Sequence, residues 1–157
     1  MAGGLFEYGG DLATEVGGYM DALVMAAGTA LVGAMATDTW QQARSSAVAL
    51  WRRVHPQRVQ AIEEELADVR VEVLAAREAG DSEAEAGLAA DWQRRLLRLL
   101  RDDPSLADEL RRLLDEELTP LLPSAEANRI GSVEMKARAS GRARIYQAVG
   151  NQTINES

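Results

Sequence analysis

The stretch "ALVMAAGTALVGAMAT", residues 22–37, runs for sixteen residues without a charge and is bounded by Asp21 and Asp38. If it is helical, Leu23, Val24, Met25, Leu31, Val32 and Met35 spread over most of the circumference. Leu12 and Val16 extend the apolar surface toward the N-terminus. A helix that is apolar nearly all round belongs inside a bundle or in lipid. Small residues recur every fourth position, at Gly18, Ala22, Ala26, Ala30 and Ala34. That spacing places them in one row, where a second helix can approach closely. Sixteen residues fall just short of the roughly 17 to 25 that span a bilayer. The expectation is a helix over residues 11–37 that is a core element at rest and faces lipid once released.

Downstream, the pattern changes to one-sided stripes. Residues 38–54 carry Trp40, Ala43, Ala47, Leu50, Trp51 and Val54 at spacings of three and four. Pro56 suits a first helical position. The segment it opens, 56–79, alternates Val59, Ile62, Leu66, Val69, Val73 and Ala76 in a heptad-like seam. Gly80 is a natural stop. Ser82 and Glu85 have capping-box spacing at the head of 82–102, whose apolar face is Leu88, Trp92, Leu96, Leu99 and Leu100. Ser105 is the expected cap of 105–119, lined by Leu106, Leu110, Leu113, Leu114 and Leu118. Pro120 and Pro123 close the helical region. Long helices with short connections pack antiparallel. The fold class is therefore all-α: a four- or five-helix bundle over residues 1–122, with an apolar N-terminal helix. Residues 123–140 read as a linker in which the pattern allows a helix over 125–138.

Composition removes several functional classes. The chain has no cysteine and one histidine, His55, so thiolate and multi-histidine metal sites are excluded. Residues 1–123 hold 22 acidic and 12 basic side chains, and residues 124–157 hold 3 and 5. An acidic body is a poor nucleic-acid surface, because neutralising phosphates needs cationic side chains. No Gly-rich phosphate loop and no nucleophile–base pair can be nominated, so neither an enzyme nor a cofactor is expected. The first basic residue is Arg44, which leaves no basic region for an export signal. A cytoplasmic protein is expected.

The tail is different again. Residues 145–155 contain no charge and no proline. Ile145, Tyr146, Val149, Thr153 and Ile154 favour strands, and Gln147, Asn151, Gln152 and Asn155 are amides. In a stack of identical in-register strands each amide bonds to its copies above and below, which is how cross-β fibrils hold together. Gly150-Asn151 offers a bend between two short strands. Arg144 and Glu156 flank the run as gatekeepers against spontaneous stacking. The tail is expected to be loose in the monomer and to become cross-β by templating on a matching copy.

"GRARIYQAVGNQTI", residues 141–154, resembles the C-terminal amyloid-signalling motifs of actinobacterial proteins, which are similar to the animal RIP homotypic interaction motif. Ile145, Gln147, Val149, Gly150 and Asn151 carry the resemblance, with Tyr146, Gln152 and Ile154 completing the motif over residues 141–155. The animal motif usually has one apolar residue between its Gln and Gly, and here Ala148 and Val149 both intervene. Residues 1–122 in turn resemble the bacterial Bell domain, similar in plan to fungal HeLo-type domains and to the four-helix bundle of mammalian necroptosis executioners.

The resemblance implies a regulated cell-death effector of the anti-phage immunity type. An NLR-type receptor with a matching motif templates the tail, the chain assembles with itself, and the clustered helical domains attack membrane lipid. The implied site is the cytoplasm at rest and the inner face of the cell membrane on activation. On this reading the membrane-acting residues are Leu12, Val16, Leu23, Val24, Met25, Leu31, Val32 and Met35. The other reading of the same residues is a soluble helical adaptor that assembles through its tail and leaves membranes alone.

Overall fold

The computed structural model describes the backbone of residues 2–132 and Met135, and side chains from residue 18 onward within that range. It is an all-α bundle, and no strand occurs among the described residues. Five helices follow in order: α1 Ala2–Met35, α2 Trp40–Val54, α3 Val59–Ala79, α4 Ser82–Asp102 and α5 Ala107–Arg112. Residues 124–132 are also helical.

The central element is α1. From Ala22 to Met35 only Met25 and Thr29 are not buried. The expected start at residue 11 is too late, since the backbone is helical from Ala2. The glycine pairs at 3–4 and 9–10 do not stop it, because extending a nucleated helix needs one hydrogen bond per residue fixed. The row Ala22, Ala26, Ala30 and Ala34 is fully buried. α4 also comes in close at Gly28. A methyl group there would sit 2.4 Å from Gln93 Cγ and 3.1 Å from the Ala89 carbonyl oxygen of α4.

α4, α3, α5 and residues 113–121 pack against α1, and α2 packs on α3, α4 and the 113–118 turns. Trp40, Ala43, Ala47, Leu50 and Trp51 of α2 are buried, as are Ile62, Leu66, Val73 and Ala76 of α3. From α4 come Trp92, Leu96, Leu99 and Leu100. Trp51 and Trp92 meet edge to face with ring centroids 5.8 Å apart, a favoured aromatic geometry. All three tryptophans are core residues.

The connections follow local chemistry. A tight 3-10 turn, Pro56–Arg58, precedes α3, so Pro56 opens that turn and not the α-helix itself. Gly80 ends α3 in the left-handed region at φ 68°. The Gly80 N–H donates to the Arg77 carbonyl and the Asp81 N–H to the Ala76 carbonyl, the two bonds of a Schellman motif. Asp81, not Ser82, caps α4: its carboxylate accepts from the Ala84 N–H at 3.0 Å. Asp103, not Ser105, caps the next turn, Pro104–Leu106. Leucines 106, 110, 113, 114 and 118 are buried as expected, but residues Leu113–Leu118 form wide π-helical turns. Pro120 lacks the N–H that Glu116 would receive in an α-helix, and its ring crowds that carbonyl.

Glycine positions separate tight from open packing. Gly87→Ala, in the middle of α4 with nothing within 4 Å of the new methyl, is expected to raise stability by up to about 1 kcal/mol. Gly28→Val drives α1 and α4 apart and is expected to cost about 1–3 kcal/mol. Urea midpoints measure both.

The Asp103 carboxylate accepts from the Ser105 hydroxyl at 2.6 Å and from the Ser105 N–H at 3.1 Å. The hydroxyl bond is the main reason its pKa lies below the usual carboxylate range. The stability it contributes is present above the unfolded-state pKa and lost as pH falls through the lower folded-state value. Ser105→Ala is expected to move the Asp103 titration upward, toward the usual range, in an NMR pH series.

Candidate functional site

The sequence nominates α1, and the fold puts most of it out of reach. Leu23, Val24, Leu31, Val32 and Met35 are buried in the core. Of the named residues whose side chains are described, Met25 alone reaches the surface, at 40% exposure. The side chains of Leu12 and Val16 lie outside the described residues. So does the whole tail motif: Ile145, Tyr146, Gln147, Val149, Gly150, Asn151, Gln152 and Ile154. The segment Gly18–Met35 is long and apolar enough to cross a membrane, with mean hydropathy 1.3 over 18 residues. In the folded chain 67% of that segment is buried, so the same residues serve as the core.

Polar ties at its rim hold α1 in place. A helix leaves its last carbonyls without internal partners, and α1 has no basic residue in its last turn. Arg70 of α3 fills the gap: its Nε donates to the Met35 carbonyl at 2.8 Å and its Nη2 to the Thr37 carbonyl at 3.3 Å. This also places a cation at the negative end of the helix dipole. On the α4 side, Gln93 Nε2 donates to the Met25 carbonyl and to Thr29 Oγ1, both at 3.1 Å.

The third restraint is residues 122–132. Leu122 places a methyl 3.0 Å from where a Cβ on Gly33 would stand. Leu122 and Ile130 are buried in the main core, with Ala127 packed against it. The first part of the expected linker is therefore a docked helix, consistent with the helix allowed over 125–138. Arg77 of α3 clamps it. Its guanidinium donates to both carboxylate oxygens of Glu85 at 3.0 Å and to Glu126 Oε1 at 2.5 Å. The Glu85 hydrogen bonds are the largest cause of a raised Arg77 pKa.

The docking leaves a gap. A cavity of about 520 Å3 lies between α1, α4 and this helix, bordered by Val32, Gly33, Ala89, Leu122, Glu126 and Ile130. The second carboxylate oxygen of Glu126 is buried and has no hydrogen-bond partner, an unsatisfied group that weakens the seat.

None of Arg70, Arg77, Gln93, Leu122 or Glu126 was marked by periodicity. Each acts through a partner 33 to 89 residues away, or across a helix junction. No group of three acidic or histidine side chains that could hold a metal occurs among the described residues. Comparison with protein-family models, curated proteins and solved structures yields no match.

Arg77→Met removes the clamp and leaves the Leu122 and Ile130 contacts. Amide exchange across 124–132 is expected to quicken about fivefold, the equivalent of ~1 kcal/mol for a partly exposed ion-pair set. Exchange in the buried half of α4 should stay unchanged, as hydrogen-exchange mass spectrometry can check.

Proposed function

We propose that the chain is a membrane-targeting cell-death effector, fired when an NLR-type receptor with a matching motif templates residues 141–155 into cross-β. The observation that carries this reading is α1: a segment with the length and hydropathy of a span, buried in the core and tied at its rim by Arg70 and Gln93. The helix at 124–132 lies in sequence between α1's coat and the motif. Stacking of tails at ~4.7 Å per copy brings the helical domains together far more closely than folded bundles can sit. The resulting crowding loads the 124–132 helix, whose seat contains a cavity and an unpaired carboxylate oxygen. Loss of that helix exposes the Gly33 and Val32 face of α1. Clustering raises local concentration steeply, so weakly inserting helices act together at the inner face of the membrane.

The second reading is a soluble adaptor that polymerises through the tail. It is favoured by the same burial: α1 makes the centre of the core, and withdrawing it dismantles the domain.

A synthetic peptide of residues 138–157 separates the two. Expected are thioflavin-positive fibrils with a meridional spacing near ~4.7 Å, whose seeds convert the full-length chain and release dye from liposomes. Removal of residues 2–36 should abolish the release. Conversion without release supports the adaptor. A peptide that stays monomeric at millimolar concentration removes the basis of both.

A further inference from the structure

The arginines of this acidic chain are not spread evenly. Seven of the twelve in residues 1–123 are Arg52, Arg53, Arg58, Arg94, Arg95, Arg98 and Arg101. They sit at the end of α2, in the turn before α3 and on the second half of α4. Four of them, Arg58, Arg94, Arg95 and Arg98, line one depression of about 230 Å3 together with His55. Only two carboxylates, Asp91 and Asp102, line it with them.

Those carboxylates are already engaged. Asp91 pairs with Arg94 at 2.5 Å, and Asp102 lies 3.0 Å from His55 Nε2. Arg95 pairs with Glu65 and stacks its guanidinium over Trp92 at 4.7 Å from the ring centre. Arg58 and Arg98 have no carboxylate partner among the described residues. Two like charges facing one concavity repel, and an anion between them relieves this. The floor is rigid, made of the buried side chains of Trp51, Ile62 and Leu99. A guanidinium presents paired N–H donors in a planar fork that matches phosphate oxygens.

We propose that this depression is a phosphate-binding site, in which Arg58 and Arg98 grip the oxygens of a phosphate group and Arg94 closes the rim. The phosphate belongs either to a lipid headgroup or to a small soluble ester. The site lies on the folded bundle and needs neither the tail nor release of α1, so its test is independent of the effector reading.

The experiment uses the full-length chain and inorganic phosphate at constant ionic strength. Thermal midpoints are compared for wild type, for Arg58→Ala/Arg98→Ala, and for Arg52→Ala/Arg101→Ala, which removes two exposed arginines outside the depression. Far-UV circular dichroism checks that both variants fold. Phosphate is expected to raise the midpoint of wild type and of the Arg52/Arg101 variant, and to leave the Arg58/Arg98 variant unmoved. Vesicles of phosphatidylcholine with and without phosphatidylglycerol then identify the source. Binding to the anionic vesicles alone, competed by phosphate and lowered about thirtyfold by losing the two arginines, assigns a lipid headgroup. A phosphate-dependent midpoint without vesicle binding assigns a soluble phosphate ester. An equal response to phosphate in all three proteins, or none in any of them with equal vesicle binding, overturns the proposal.

Discussion

Between Ala22 and Met35, α1 has no side that water would accept. Every other helix can be read as a response to that constraint. Each offers a single apolar stripe and keeps its charges outward. No polar or charged side chain is buried among the described residues. The core therefore contains no hydrogen bonds that fix helix register. Register comes from shape, at the close approach of α4 to Gly28 and of Leu122 to Gly33, and from polar ties at the rim. Interiors packed at crystal-like density transmit such steric constraints well, so two glycines can position α1 against both neighbours.

The stripes were legible because they are local. Spacings of three and four in α2, α3, α4 and the leucine-rich segment identified nearly every buried residue of those elements. Gly80 was legible for the same reason, since only a left-handed cap suits a glycine after a long stripe. Pairings between distant residues were not legible. Ser82 and Glu85 have the spacing of a capping box, yet Asp81 is the cap and Glu85 is turned to Arg77. The alanine row is fully buried, whereas the tight approach of α4 at Gly28 was marked by no spacing. Residues 124–132 lack a strong stripe, and Ile130 becomes a core residue only because a cavity-edged seat exists for it. The burial expected of α1 at rest is seen at Leu23, Val24, Leu31, Val32 and Met35; periodicity alone did not require it, because an all-round apolar helix has the same pattern in a core and in lipid.

The ion pairs divide by what they join. Arg94 with Asp91 and Arg112 with Glu116 lie within one helix and are exposed, where such pairs contribute little. Arg77 joins three elements, and Arg70 ties α3 to the end of α1. Arg44 with Glu63, Arg53 with Glu109 and Arg95 with Glu65 also join different elements, so the charged ties run between the helices packed about α1, while α1 takes part through its Met25 and Met35 carbonyls. Arg58 and Arg98 of the depression belong to neither group, and it is these two cations, without a carboxylate partner among the described residues, that the proposed phosphate would neutralise.

Burial of α1 sets a thermodynamic condition on any release that the effector reading requires. Lipid tails are as apolar as a leucine core, so α1 exchanges one apolar surrounding for another at modest cost. Its coat does not. Buried apolar side chains of α4, the helix packed most extensively on α1, would face water once α1 left, and each large apolar side chain exposed costs about 1.5–3 kcal/mol. A single bundle in solution therefore keeps its central helix. In an array of bundles tethered by stacked tails, neighbouring coats can cover one another. The exposed stripes then bury against copies of themselves, and the cost that protects the monomer becomes attraction within the assembly. Under the effector reading, the same apolar stripes that hold α1 silent in one copy are what make its release cooperative in many.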